Sequence, residues 1–206
     1  MAVPDISIII TNYNYERYIS RCLRSCLNQR NVLYEVLVVD DCSTDNSLNR
    51  IKPFSDKVRF FKTDTNSGVA AAANLGISNA RGQFFFRVDS DDYINQDMSF
   101  IMKKYMEANH DAFCVSSDYV LVDNYENTIA RKYADTENIS CGIMYRTDLF
   151  LQSGGYNPKM RHREEEELRK RLGEDYKIHH LKIPFYRYRM HNTNKTKQPE
   201  YKTWEI

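Results

Sequence analysis

Apolar residues fall in short runs that alternate with stretches of helical spacing. Residues 5–11, DISIIIT, are an apolar run of strand length, and 16–27 follow with Tyr18, Ile19, Cys22, Leu23, Cys26 and Leu27 on one helical face. The alternation recurs as a strand over 34–39, a short helix over 47–51, a strand over 58–61, an alanine-rich helix over 68–80 and a strand over 83–88. Strands that are apolar throughout need cover on both faces, so this half predicts an α/β fold with a mostly parallel central sheet flanked by helices. Beyond residue 92 the rhythm changes. A helix over 97–108 and a strand over 111–116 precede a hairpin over 119–132 turning at Asp123-Asn124 and a strand over 143–145. The Gly154-Gly155 break, a charged helix over 163–172 and a strand over 182–190 limited by Pro184 complete a smaller mixed portion. Neither a repeat nor a linker divides the chain, which predicts one domain over 1–191 and a loosely held polar tail over 192–206.

Composition narrows the class. The 206 residues are 42% hydrophobic and 13% aromatic, enough for one sizeable core. Lys and Arg total 29 against 28 acidic residues, so no long-range field draws the chain to nucleic acid or anionic lipid, and any phosphate site must be local. No apolar stretch reaches membrane-spanning length, and residues 1–14 lack a basic region followed by a cleavable apolar core. The cytosol is the expected address. Cys22, Cys26, Cys42, Cys114 and Cys141 are odd in number and are expected to be reduced thiols; Cys22 and Cys26 share a helix face, but no second pair has zinc spacing.

Three polar clusters follow predicted strands, where open parallel sheets bind ligands: Thr11-Asn12-Tyr13-Asn14, the run from Asp40 to Asp45, and Asp89-Ser90-Asp91-Asp92. Helix capping accounts for part of each, through Ser43, Thr44 or Asp45 in the second. The third, within FFFRVDSDDYI, sets like charges directly behind an apolar strand, where they raise one another's pKa; a cation or a set of aimed donors must offset them. The seven glycines form neither the dinucleotide fingerprint nor the Lys-containing phosphate loop. A calcium loop from Asp89 fails because Ile94 and Phe100 stand where Gly and Glu are needed. Mg2+ or Mn2+, sharing its coordination with waters and phosphate oxygens, fits the remaining carboxylates.

The ordered blocks ITNYNYERYI, VLVVDDCSTDNS, NSGVAAAANLGISNARGQFFFRVDSDDY, GGYNP, EEEEL and YRYRMH resemble the family 2 glycosyltransferases of the GT-A fold, over roughly residues 6–191. The resemblance implies an inverting transferase that moves a sugar from a nucleotide-diphosphate donor to an acceptor hydroxyl. Residues 1–92 would be its nucleotide-binding half and 93–191 its acceptor half. It assigns Thr11, Tyr13 and Asn14 to the base and ribose pocket and Asp41 to the base's ring N–H, which leaves uracil, thymine and guanine open with a UDP-sugar favoured. Asp40 holds the loop. Asp89 and Asp91, flanking Ser90, become the Asp-x-Asp pair, with Asp91 a direct Mn2+ or Mg2+ ligand and Asp89 on ribose or a metal-bound water. Asp92 is either part of the site or a cap for the next helix. His191 supplies a further metal or phosphate contact, Arg187 or Arg189 can touch phosphate, and Asn74 can bond the donor.

The proton acceptor in this pattern is the second acid of a Glu-Asp pair after the GGY block, which makes it Glu165 here, with Glu164 in reserve. Glu165–Arg169, Glu166–Lys170 and Glu167–Arg171 are equally favourable i,i+4 pairs on an exposed helix. Two departures stand out: Glu replaces the usual Asp, and Ala72-Ala73-Asn74 stands where the family often has Ala-Arg-Asn. The implied partners are the donor and a glycan or lipid-linked acceptor of polysaccharide, O-antigen or capsule assembly, reached peripherally at the inner face of the membrane. Acceptor choice is placed in the loops over 119–140. A nucleotidyltransferase would need a glycine-rich basic loop after the first strand, and TNYNYERY has none. A non-catalytic nucleotide-sugar-binding protein of the same fold is the competing reading.

Overall fold

The computed structural model describes residues 2–194. Its first half runs β1 (Ile6–Asn12), α1 (Ile19–Cys26), β2 (Tyr34–Asp40), α2 (Ser47–Ile51), β3 (Arg59–Lys62), α3 (Val69–Ser78) and β4 (Phe84–Asp89). The second half adds β5 (Tyr93–Ile94), α4 (Met98–Ala108), β6 (Cys114–Val122), β7 (Thr128–Lys132), β8 (Met144–Arg146), α5 (Thr147–Gln152), α6 (Glu164–Leu172) and β9 (Ile178–Arg189). The described strands form one sheet in the order β3-β2-β1-β4-β8-β6-β9-β5, with β7 beside β6. β3, β2, β1 and β4 are mutually parallel, whereas β8 is antiparallel to both β4 and β6. The predicted α/β class and mostly parallel first half are what the structure shows.

Strand alternation sorts the core into two layers. Ile6, Ile8, Ile10, Phe84, Phe86 and Val88 pack with α1, α2 and α4 through Cys22, Leu23, Ile51, Met98 and Met102. Ile9, Leu37 and Phe85 point the other way, onto Ala73 and Ile77 of α3, Phe150 of α5 and Leu168 of α6. Phe84, Phe85 and Phe86 are fully buried, each worth roughly 1.5–3 kcal/mol of transfer free energy. Gly82 lets β4 enter beside β1: a Cβ there would lie 2.6 Å from the backbone of Ile6 and Ser7.

Several expected boundaries move. The strand expected to end at 116 and the first arm of the hairpin are one strand, β6, and the turn spans 123–127. Pro184 does not limit β9. Pairing with β6 shifts register between Ser117 and Tyr119, so Leu181 and Tyr186 are the flanking partners and Pro184 sits in the resulting bulge, where no ladder N–H is required. β5 and α5 were too short to give a period. Of the tail, residues 195–206 lie outside the described residues, but Asn194 is not loosely held: it is buried, donates to the Arg189 carbonyl and accepts from the His191 N–H. Cys22, Cys26, Cys114 and Cys141 are buried free thiols and Cys42 is half-buried. Among the described residues no helix is long and apolar enough to cross a membrane.

Candidate active site

The chain runs from β1 outward through β2 to β3, then returns with β4 on the other side of β1, and ligand crevices form at the carboxyl ends of strands where order reverses in this way. Register brings the polar clusters to that edge, pairing Thr11 with Asp89 across β1 and β4 and Asn12 with Asp40 across β1 and β2. The loops beyond enclose a cleft of about 380 Å³, whose lining includes Thr11, Tyr13, Asp41, Arg87, Asp89, Ser90, Asp91, Asp92, Glu164 and Glu165.

On the β1–β2 side, Asp40 accepts from Asn12 Nδ2, Ser43 Oγ and the Ser43 N–H at 2.6–2.9 Å, so it holds the loop. Asp41, 4% exposed, is a hub of another kind: it accepts from the Thr63 hydroxyl at 2.9 Å and from the N–H groups of Ser67 and Gly68 at 2.9 and 2.8 Å. These ties anchor segment 63–68 at the start of α3, a role that spacing alone did not reveal. Two expected donor contacts face elsewhere. Asn14, in the left-handed region at φ 58°, turns its side-chain oxygen onto the N–H groups of Thr44 and Asp45. Asn74 exchanges two hydrogen bonds with the Tyr156 backbone and so staples α3 to the GGY segment. Both amides satisfy loop backbone, and neither lines the cleft.

The aspartates behind β4 each find an internal partner. Asp89 Oδ1 lies 3.2 Å from Arg87 Nε, and its N–H donates to the Tyr186 hydroxyl. Asp91 meets His191, Oδ2 to Nε2 at 2.8 Å, with the imidazole stacked on Tyr18 and bonded through Nδ1 to Thr193. Asp92 does not cap α4: it is buried and accepts from the Tyr186 hydroxyl and the Arg189 N–H, both at 2.8 Å. Burial, then Asp91 and Asp89, hold its carboxyl well above the usual range despite those donors. Burial and the three aspartates likewise push the Tyr15 hydroxyl up.

Asp89, Asp92 and Cys141 bring ligand atoms within 4.8 Å of one another. Burial raises the Cys141 thiol, and Mg2+ or Mn2+ prefers hard oxygens, so the carboxylates of Asp89 and Asp92 are the members of this group that suit such an ion. The Ser90 hydroxyl between them is buried without a hydrogen-bond partner, a polar atom that a ligand in the cleft can satisfy. Arg189 runs beneath this group with Nε on the Asp91 carbonyl, and Arg187 donates to the Pro184 carbonyl.

Across the cleft, α6 starts at Glu164 after Arg163, which adopts a left-handed φ of 56°. Glu164 and Glu165 are each 2% exposed, so Glu165 does not lie on the exposed face that its i,i+4 spacing to Arg169 suggested. Glu164 accepts from Arg87 Nη1 at 2.5 Å. Glu165 Oε1 accepts from Arg169 at 2.6 Å and from the Tyr176 hydroxyl at 2.9 Å. The pairs Glu165–Arg169 and Glu167–Arg171 form as spaced, and Glu166 pairs with Arg163. Arg87 escaped the sequence reading. Its signal was a lone cation on the Phe85-Arg87-Asp89 side of a strand otherwise apolar up to the cluster.

A model of the family described as "Glycosyl transferase family 2" matches residues 7–180. The chain belongs to this family. It is similar to a hyaluronan synthase of Pasteurella multocida, 31% identical over 93% of this chain and 21% of that protein. It also resembles an uncharacterized glycosyltransferase of Haemophilus influenzae, 40% identical over 55% of this chain and 50% of that one. The chain thus spans half or less of these two relatives. Among solved structures, Staphylococcus aureus TarS in complex with UDP-GlcNAc superposes with a TM-score of 0.79 at 22% identity, covering 98% of this chain and 62% of TarS. The mannosyltransferase PcManGT of Pyrobaculum calidifontis, in complex with GDP-Man and Mn2+, gives 0.74 at 16% identity over 91% and 57%. The fold is the GT-A fold of these transferases.

Proposed function

We propose that this family 2 domain is an inverting glycosyltransferase that uses a UDP-sugar and an acceptor hydroxyl in polysaccharide, O-antigen or capsule assembly. The observation that carries this is the meeting, in one cleft at the sheet's reversal point, of the loop after β1, the aspartates after β4 and two buried glutamates of α6. Thr11 and Tyr13 line the nucleoside end, and Asp41 keeps lone-pair capacity for a base N–H beyond its three donors. Asp91 and Asp89, with His191 beside Asp91, would hold Mn2+ or Mg2+, which would supply positive charge for the departing diphosphate. Glu165 takes the acceptor's hydroxyl proton as that oxygen bonds to the anomeric carbon and the bond to the diphosphate breaks. Homologues named for hyaluronan and poly(ribitol-phosphate) chemistry support a glycan acceptor.

The hold of Arg169 and Tyr176 on Glu165 favours a second reading, nucleotide-sugar binding without turnover. A thermal-shift panel of UDP, GDP and dTDP with and without Mn2+, paired with UDP-sugar hydrolysis by wild type and E165Q, tests both. The transferase reading expects a Mn2+-dependent rise in Tm with UDP, because a ligand bound only to the native state stabilises it, and hydrolysis lost in E165Q. A shift with UDP but no hydrolysis by the wild type selects the binding protein. No shift with any nucleotide rejects both.

A further inference from the structure

Strand alternation puts Phe85, Arg87 and Asp89 of β4 on the face that α3, α5 and α6 cover. Arg87 is 3% exposed, and a buried guanidinium persists only with partners that satisfy it. Its partners come from two elements that line the cleft: Nη1 donates to Glu164 Oε1 at 2.5 Å at the first residue of α6, and Nε lies 3.2 Å from Asp89 Oδ1, a charge contact without hydrogen-bond geometry. The guanidinium carbon also stands 5.9 Å from the centre of the Tyr156 ring, in the segment that Asn74 staples to α3. The hydrogen bond to Glu164 orients one arm of the planar guanidinium, and its charge draws the Asp89 carboxylate to a second edge, a two-sided presentation that an ammonium does not offer.

We propose that Arg87 is a positioning residue, a buried strut that sets the separation between the diphosphate end of the cleft and the carboxylates of α6 and keeps Glu164 as its counter-ion. The inference rests on the transferase reading and deepens it. Glu164, committed to Arg87, then serves as a counter-ion rather than as the proton acceptor. Arg87 also competes for Asp89 with any divalent cation, so the chain carries its own placeholder charge before donor arrives.

The test uses the whole chain in four forms: wild type, R87K, R87M and R87M/E164Q. Mn2+ affinity is read by EPR without nucleotide, and kcat and KM are read by hydrolysis of UDP-GlcNAc. Loss of the competing charge tightens Mn2+ binding in R87M about tenfold, and R87K, which retains the charge, returns it towards wild type. Loss of the guanidinium lowers kcat about a hundredfold in both R87K and R87M with little change in KM, since a misplaced group costs rate more than binding. Should R87M fold poorly, R87M/E164Q removes both halves of the pair and serves for the Mn2+ measurement. Mn2+ affinity unchanged or weaker in R87M and the double variant, or full kcat in R87K, overturns the role of Arg87 while leaving the transferase reading in place. A wild type that neither binds Mn2+ nor hydrolyses UDP-GlcNAc overturns both.

Discussion

Asp41 separates two roles that family membership leaves entangled, reading the base and anchoring the loop. Replacing it with Asn keeps the shape and removes one acceptor atom. Whichever way the amide turns, its NH2 faces a donor: the Gly68 N–H on one side, or the Ser67 N–H and Thr63 hydroxyl on the other. The first orientation loses least, one hydrogen bond to a charged acceptor, worth about 1.5–3 kcal/mol. The carboxylate's interaction with the positive end of α3 adds about 0.5–1 kcal/mol. At 4% exposure solvent returns little of this, so D41N should cost about 2–4 kcal/mol, or roughly 5–15 °C in Tm for a domain of this size. Urea and thermal denaturation followed by circular dichroism measure it, and isothermal titration with UDP gives affinity on the same samples. A D41N protein as stable as wild type, yet unable to bind UDP, would refute the anchor and restore Asp41 as a pure base reader.

E165Q should lower transfer or hydrolysis about a thousandfold while leaving the UDP dissociation constant within twofold, as loss of a general base does; equal loss of binding would move Glu165 out of the chemistry. E164Q removes one partner of a buried ion pair and should cost about 3 kcal/mol in denaturant unfolding; a neutral effect would contradict the burial of the Arg87 pair. D92N concerns pH. The Asp92 carboxyl is raised in the folded state, so its contribution to stability is fully present below the unfolded pKa of about 3.9 and is lost as pH rises through the folded value. The Tm of D92N relative to wild type, both without metal, should therefore improve between pH 4 and pH 8, and a flat difference would show that Asp92 is not held in the raised state.

Much of the first half was legible because buried parallel strands and one-sided helices write strong periods, and the carboxyl ends of those strands follow from the alternation alone. The aspartates, Thr11 and the α6 glutamates were found on that basis and by family pattern, and the structure brings them to one cleft. What the sequence hid were partners distant in the chain. Asn14 and Asn74 look like ligand contacts in one dimension, but each satisfies loop backbone 30 or 82 residues away. Asp92 read equally as a site residue or a cap because its partners, the Tyr186 hydroxyl and the Arg189 N–H, are distant in the chain, and Arg87 carried no pattern because its second partner lies 77 residues on. Pro184 read as a strand end because a bulge, which only pairing reveals, removes its cost.

The most direct measurement is 31P NMR of UDP bound to the protein, titrated with substoichiometric Mn2+. If Asp89 and Asp91 hold the ion against the diphosphate, both phosphorus signals broaden strongly in the wild type and stay sharp in D89N/D91N, which still binds the nucleoside more weakly. Equal broadening in the two proteins, or none in either, would contradict a metal-borne diphosphate at this edge of the sheet.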